Sequence, residues 1–194
     1  MRNRLLVQAV ATVVVLVFAA GIWLTGGRVD VGWLRFFAAA VLVATGLLWV
    51  WERYLWRIPL IQRLGVVPRN LTGTWKGLLE SFWEDPASGE RVPAKLVYLV
   101  VRQTASTVSV ILLTDESRSV SSLGVVSRGA GVASLDYLYL NRPESKVESR
   151  SRMHHGSASL DITGRPATRL RGRYWTDRDT KGELDFTERK KTDS

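Results

Sequence analysis

The hydrophobic pattern of this chain changes abruptly at Leu71, and that change limits the folds it can adopt. Before Leu71 the apolar residues form two runs of helical length, whereas after it they recur in short segments that alternate with polar residues. Period-two alternation is typical of β-strands, and apolar runs of about 20 residues are typical of membrane-spanning helices. The sequence therefore predicts a helical membrane anchor followed by a β-domain.

Two N-terminal segments are predicted to cross the membrane. Residues 5–25 carry no ionised side chain, and residues 33–51 carry only Arg35, near the start of the segment. A cleaved signal peptide is the alternative for the first segment, but its apolar run continues past the small residues and a second span follows. Two arginines precede the first span and four follow the second. The positive-inside rule then predicts a multi-pass protein with both termini and the β-domain in the cytoplasm. A helical hairpin is typical of an inner rather than an outer membrane.

The β-domain is predicted to be an eight-stranded antiparallel up-and-down barrel. Turn signals separate eight alternating segments: 71–83, 94–104, 107–114, 118–127, 132–141, 155–163, 168–176 and 182–189. Short connections favour antiparallel neighbours, and eight such strands close into a barrel that holds side chains or one small ligand. We expect three parts: a two-helix transmembrane hairpin over 1–53, an amphipathic linker over 54–70, and a cytoplasmic barrel over 71–190.

Charge and composition exclude several classes of function. The first 70 residues carry 8 basic and 2 acidic side chains, and the remainder carries 19 and 16. Most of the excess positive charge therefore flanks the spans, where topology explains it better than a DNA or RNA partner does. The chain has no cysteine, and its histidine pair, His154 and His155, lacks further ligands at metal-site spacing. Since no catalytic constellation is evident either, we expect a non-enzyme without a metal or cofactor.

Five residues are predicted to bind a ligand inside the barrel. Tyr98 and Arg102 share one face of strand 94–104, and Tyr137, Tyr139 and Asn141 share one face of strand 132–141. Alternation predicts that both faces point inward. An arginine beside aromatic rings suits a ligand with a phosphate and a base. The structural alternative is that Arg102 lies at the rim in water and the tyrosines merely fill the barrel.

Other residues of the β-domain are assigned mainly structural roles. Trp75 is expected to plug the barrel interior, or else to contact ligand. Arg169, Arg171 and Arg173 alternate with apolar residues and are expected on the solvated outer face. The strand around residues 96–101 is apolar on both faces, so an outward row of Val97, Leu99 and Val101 would need cover by the linker, the membrane surface or another protomer. The charged stretch 142–153 is a candidate lid over one barrel mouth, with a simple solvated loop as the alternative.

The sequence GTWKG at residues 73–77, behind two spans and a basic linker, resembles one known family. The chain is similar to the SMODS-associated effectors of bacterial CBASS antiphage systems, which have two transmembrane segments and a β-strand-rich domain. The motif is also similar to lipocalin- and avidin-type strand openings. The CBASS resemblance implies antiviral defence: a partner nucleotidyltransferase makes a cyclic dinucleotide, the barrel binds it as the activating ligand, the protein self-associates into a homo-oligomer, and the clustered spans disrupt the inner membrane and kill the cell.

Two other functions remain open from the residues alone. A membrane-tethered, lipocalin-like carrier of a lipid or another small apolar ligand would explain a mostly apolar interior. A scaffold with a fully plugged barrel would bind only other proteins. The space inside the barrel and the side chains at its mouths separate these hypotheses.

Overall fold

The computed structural model describes residues 2–24, 26, 33–84, 89–129, 131–147 and 152–190. The chain divides into two compact units, Met1–Leu55 and Trp56–Ser194. The predicted boundaries at 53 and 70 remain predictions, although the structure places the linker from Trp56 onward in the same unit as the barrel. The residues between the two predicted spans lie mostly outside the described residues, as do parts of the connection between the first two predicted strands and of the candidate lid at 142–153.

The first unit contains helices α1 (Arg2–Leu24) and α2 (Trp33–Arg53). Ala40 and Ala44 are buried in this unit, whereas the large apolar side chains described in both helices are exposed or half-buried. The small side chains of Ala40 and Ala44, four residues apart, allow close helix packing. Among the described residues one stretch, Arg35–Arg57, is long and apolar enough to cross a membrane, and the apolar part of α1, Val10–Leu24, is shorter. Anchoring through two spans therefore remains a prediction.

The second unit is a closed barrel in which each strand pairs antiparallel with its neighbours in sequence and β8 pairs with β1. The predicted eight-stranded barrel is confirmed, with strand ends that differ by three residues or fewer from those expected. The strands are β1 (Gly73–Ser81), β2 (Lys95–Gln103), β3 (Val108–Leu113), β4 (Ser117–Gly129), β5 (Val132–Pro143), β6 (His154–Thr163), β7 (Arg169–Thr176) and β8 (Lys181–Lys190).

Glycine permits the close strand contacts that a narrow barrel requires. A Cβ atom on Gly77 would lie 2.2 Å from the carbonyl oxygen of Asp185 in β8, and one on Gly172 would lie 1.9 Å from that of Ser159 in β6. The β1–β8 register also shifts between Lys76 and Gly77. A bulge and a glycine at the same position increase strand curvature, so the GTWKG stretch forms the seam that closes the barrel.

The core fills the barrel axis with apolar side chains. Trp75 is 0% exposed and donates its indole N–H to the Leu71 carbonyl over 2.9 Å, as a plug of the interior requires. Around it lie other fully buried side chains, among them Leu99, Leu135, Leu160, Leu170, Leu184 and Phe186. An eight-stranded barrel has an interior just wide enough for such side chains. A ligand of nucleotide size therefore has room at a mouth rather than along the axis.

One end of the barrel is covered by the linker. After a short 3-10 turn (Leu55–Arg57), helix α3 (Pro59–Leu64) leads into β1. The Gln103 side chain accepts a hydrogen bond from the Leu71 N–H and donates one to the Arg69 carbonyl. Arg189 donates to the carbonyls of Asn70 and Thr72 and lies over the Trp75 ring. These contacts fix the linker to the barrel, and we call this side the linker end.

The predicted inward face of β2 is wrong. Val97, Leu99 and Val101 are at most 1% exposed and point inward, whereas Tyr98 is 41% exposed and Arg102 is also exposed. Both faces of this strand are apolar, so alternation could not select the inner one. Gln103 lies on the same face of β2 as Val97, Leu99 and Val101. Because its side chain bonds to the linker across the end of the barrel, this face points inside. The row of Val97, Leu99 and Val101, which we expected on the outer surface, is thus part of the core.

Candidate ligand-binding site at the barrel mouth

The barrel end opposite the linker carries polar side chains inside its mouth. The β3–β4 and β7–β8 turns lie at this loop end, together with the described parts of the β1–β2 and β5–β6 connections (82–84, 89–94, 144–147 and 152–153). The side chains that point into it come from β4, β5 and β7. They are Ser119, Tyr137, Tyr139, Asn141 and Tyr174, each less than 9% exposed. The interior thus changes from an apolar core to a polar layer at one mouth.

Glycines on neighbouring strands make room for the tyrosine rings. A Cβ atom on Gly156 would lie 2.5 Å from the Tyr139 hydroxyl, and one on Gly182 would lie 2.9 Å from the Tyr174 hydroxyl. The Tyr137 and Tyr139 rings lie 5.8 Å apart at 45°. Any larger residue at Gly156 or Gly182 would displace a tyrosine ring. These glycines therefore allow the tyrosines to form an aromatic layer inside the loop end.

Hydrogen bonding in the layer is incomplete. Ser119 Oγ donates to Asn141 Oδ1 over 2.9 Å, but the buried hydroxyl of Tyr137 has no partner within the described part of the chain. An unpaired buried hydroxyl costs about 1–3 kcal/mol, so such groups usually meet a water molecule or a ligand. Tyr137 is therefore a hydrogen-bond donor that no described residue uses.

The tyrosines of this layer are neutral over the physiological pH range. Burial raises the pKa of Tyr137, and the neighbouring Tyr139 raises it further. Burial also raises the pKa of Tyr139, with smaller contributions from Tyr174 and Asp177. Burial raises the pKa of Tyr174, while a hydrogen bond with the Ser81 side chain opposes that shift. The layer can donate hydrogen bonds and offer aromatic faces, but it supplies no charge.

Positive charge is available at the rim of the loop end. Arg152 precedes β6 and Arg178 lies in the β7–β8 turn, and both are exposed. Arg178 Nη1 donates to the Arg152 carbonyl over 3.3 Å, so the two segments are in contact. Within the described ranges, neither guanidinium has a carboxylate at ion-pair distance. The two arginines therefore retain their capacity to bind anions.

The structure brings together three of the five predicted ligand residues. Tyr137, Tyr139 and Asn141 lie in the loop-end layer, while Tyr98 and Arg102 lie on the outer surface of β2. A ligand in the mouth would not reach that outer surface, so the expected pairing of Arg102 with the tyrosines is wrong. Ligand binding by each of the five residues remains a prediction.

The site also contains residues that we did not predict. Tyr174 is one of the apolar residues that alternate with Arg169, Arg171 and Arg173, so the pattern predicts an inward side chain but not a site residue. Nothing in the sequence singles out Ser119 or the two rim arginines. Arg152 and Arg178 are separated by 26 residues and lie in connections without any periodic pattern. Only the strand pairing that brings the two connections together could have revealed them.

The arginines of β7 line a second candidate, an open groove of ≈ 540 Å³ on the outer surface. Their outward orientation is confirmed. Arg169 donates to both carboxylate oxygens of Asp185, and Arg171 Nη2 lies 3.1 Å from Glu183 Oε2. Arg173 has no ion pair in the described chain, and Trp175 is 51% exposed. Since two of the three arginines already face carboxylates, this groove has less positive charge to offer an anion.

The ion pair of Asp185 should make barrel stability depend on pH. The hydrogen bonds from Arg169 lower the pKa of Asp185 below its ordinary value of 3.8, against the opposing effect of burial. The ion pair therefore stabilises the folded state above pH 3.8, and this stabilisation is lost as the pH falls through the lower pKa that Asp185 has in the folded state. We expect Asp185→Asn to lower the urea midpoint at pH 7 more than at pH 3. An equal effect at both pH values would contradict this.

Comparison with known proteins identifies the family. The model of the "Cap15, cyclic dinucleotide receptor domain" family matches residues 66–188, which is more than half of the chain and includes nearly the whole barrel. CD-NTase-associated protein 15 of Staphylococcus schleiferi is 28% identical over 155 residues, which are 80% of this chain and 80% of that protein. The resemblance to a CBASS effector is thereby confirmed. The chain belongs to the Cap15 cyclic dinucleotide receptor family.

Proposed function

We propose that this protein is a CBASS effector whose barrel binds a cyclic dinucleotide at the loop end. The observation that carries the proposal is the family match over residues 66–188, which covers the barrel and leaves α1 and α2 outside. This match supports a receptor function of the barrel. The name of the staphylococcal relative associates it with a CD-NTase, so we infer that a partner nucleotidyltransferase supplies the ligand.

The loop-end mouth suits the chemistry of a cyclic dinucleotide. Such a ligand has two phosphates and two bases. The exposed guanidiniums of Arg152 and Arg178 can each form charge-assisted hydrogen bonds with a phosphate. The rings of Tyr137, Tyr139 and Tyr174 and the unpaired Tyr137 hydroxyl can contact a base. Because apolar side chains fill the axis below, the ligand would lie across the mouth rather than deep inside the barrel.

We infer that ligand binding drives self-association, which clusters the helices of the first unit and disrupts the inner membrane. The outer surface of β1–β5 supports self-association because it carries an exposed apolar belt. Its members are Leu78, Leu96, Tyr98, Leu113, Val120, Leu123 and Leu138, each at least 36% exposed. Contacts between copies could bury this belt. Tethered helices would then reach a high local concentration in the plane of the membrane.

Tyr137→Phe tests the site because it removes only the hydroxyl. We expect binding of a cyclic dinucleotide to weaken about 3- to 10-fold, as for the loss of one neutral hydrogen bond. The free energy of unfolding should stay the same or rise by about 1 kcal/mol, since an unpaired buried group is removed. Calorimetric titration of a cyclic dinucleotide panel into the detergent-solubilised full chain, with thermal unfolding of the same samples, measures both effects.

Tyr174→Phe is the matched control. Its hydroxyl bonds to Ser81, so the same chemical change should cost about 1 kcal/mol of stability. Equal destabilisation by both substitutions would show that the Tyr137 hydroxyl has a protein partner. Undiminished ligand affinity in Tyr137→Phe would place the ligand elsewhere, and the absence of binding by any cyclic dinucleotide to the wild type would contradict the function itself.

A further inference from the structure

Three arginines from distant parts of the sequence meet at the linker end of the barrel. Arg69 belongs to the linker, Arg128 to the end of β4, and Arg165 to the β6–β7 turn. A Cβ atom on Gly65 would lie 2.8 Å from Arg128 Nη1 and 3.0 Å from Arg165 Nη2. The guanidiniums of Arg128 and Arg165 therefore meet at Gly65 of the linker. Both lie close enough to Arg69 to affect its charge, and we call Arg69, Arg128 and Arg165 the arginine cluster.

Backbone carbonyls hold the cluster in place. Arg69 donates to the Gly164 carbonyl, Arg128 donates to the Gly65 carbonyl, and Arg165 Nη1 donates to the Arg63 carbonyl over 3.3 Å. No carboxylate in the described part of the chain pairs with any of the three. The site is thus built around like charges that lack a counter-ion among the described residues.

Two further observations show that this arrangement is electrostatically unfavourable without an anion. Burial lowers the pKa of Arg69, and the neighbouring charges of Arg165 and Arg128 lower it further. The buried Arg69 Nε also has no hydrogen-bond partner among the described residues. A bound phosphate group would relieve the repulsion and offer acceptors to guanidinium groups, which match its geometry well.

Apolar side chains beside the cluster indicate which kind of phosphate it binds. Ile58, Leu60, Leu64 and Val66 of the linker are between 41% and 69% exposed. This segment directly follows Arg35–Arg57, the stretch that is apolar enough to cross a membrane. A soluble phosphate would gain nothing from these side chains, whereas a lipid offers acyl chains to the apolar residues and a headgroup to the arginines.

We propose that Arg69, Arg128 and Arg165 form a binding site for the phosphate of an anionic phospholipid, with Leu60 and Leu64 contacting its acyl chains. The site lies at the opposite end of the barrel from the proposed nucleotide site and does not rest on that proposal. It would fix the linker end of the barrel to the membrane surface through a specific lipid contact.

The test compares two double substitutions that remove the same charge from exposed residues. Arg128→Gln/Arg165→Gln alters the cluster while leaving the more buried Arg69 in place. Arg118→Gln/Arg142→Gln alters two exposed arginines that are register partners on β4 and β5 near the loop end. Native mass spectrometry of the full chain in a neutral detergent, titrated with phosphatidylglycerol, measures lipid retention. Phosphatidylcholine and sodium pyrophosphate serve as the other probes.

We expect half-saturation of Arg128→Gln/Arg165→Gln to require on the order of 30-fold more phosphatidylglycerol, since each basic group near an anionic surface contributes about a fivefold factor. The control should retain the lipid like the wild type, and phosphatidylcholine should bind weakly to all three proteins. Equal phosphatidylglycerol retention by the two double variants would overturn the site. Pyrophosphate binding as tight as phosphatidylglycerol binding would overturn the assignment to a lipid.

Leu60→Ser/Leu64→Ser provides a second test that leaves the arginine contacts intact. These exposed substitutions should weaken phosphatidylglycerol retention severalfold and leave any pyrophosphate binding unchanged. Unchanged phosphatidylglycerol retention would overturn the acyl-chain contact. Thermal unfolding followed by tryptophan fluorescence verifies that each variant retains the folded barrel, in which Trp75 is buried.

Discussion

Gly77→Ala is expected to destabilise the barrel by about 4 kcal/mol or more, a loss at the upper end of single substitutions. The added Cβ would lie 2.2 Å from the Asp185 carbonyl oxygen and 2.7 Å from the Phe186 Cα. Both obstacles are backbone atoms of β8, so no side-chain rotation relieves the clash. The β1–β8 seam would have to separate locally, which would loosen the packing around Trp75.

Thermal unfolding of the full chain, followed by tryptophan fluorescence, measures this loss. We expect a midpoint at least about 10 °C lower than that of the wild type. Gly46→Ala in α2 is the matched control, because a Cβ atom there meets nothing within 4 Å. A Gly77→Ala midpoint within about 2 °C of the wild type would contradict the close approach of β1 and β8.

Reversing the charge of both rim arginines should have the largest effect on ligand binding. In Arg152→Glu/Arg178→Glu, two charge-assisted hydrogen bonds to phosphate are lost, each worth about 1.5–3 kcal/mol. Two carboxylates would also repel the ligand. We therefore expect the affinity for the cognate cyclic dinucleotide to fall at least about 100-fold. Because both side chains are exposed, barrel stability should change little.

The comparison with the outer groove decides between the two candidate sites. Arg171→Glu/Arg173→Glu makes the same change of charge on β7, outside the barrel. Titration of both double variants and the wild type with the cognate ligand at one fixed salt concentration is the measurement. If only Arg171→Glu/Arg173→Glu loses ligand affinity, the site lies on the outer surface. If both double variants lose similar affinity, the effect comes from net charge and not from a specific site.

The strand count could be predicted from the sequence because turn signals separate short alternating segments throughout the β-domain. Alternation also selected the correct inner face wherever one face was clearly more polar, as around Tyr137 on β5 and Tyr174 on β7. It failed on β2, where Val97 and Tyr98 belong to rows of similar hydrophobicity. There the inner face is decided by a tertiary contact, the binding of the Gln103 amide to the linker, which has no local signal.

The candidate site could be predicted only in part, for a related reason. Tyr137, Tyr139 and Asn141 lie two residues apart on one strand, so their common face is visible in the sequence. Arg152 and Arg178 lie on separate connections and come together only through the pairing of β5, β6 and β7. The arginine cluster at the linker end is a more extreme case, because 63 residues separate Gly65 from Arg128.

The pairing of β8 with β1 has a consequence for how copies of the protein can assemble. A closed barrel has no edge strand with unpaired backbone groups, so a strand from a second molecule cannot extend the sheet and polymerisation by strand addition is blocked. Any filament or cluster must instead be joined through side chains on the barrel wall or through the helices. Recruitment can then be reversible, because no fold has to open before two molecules meet.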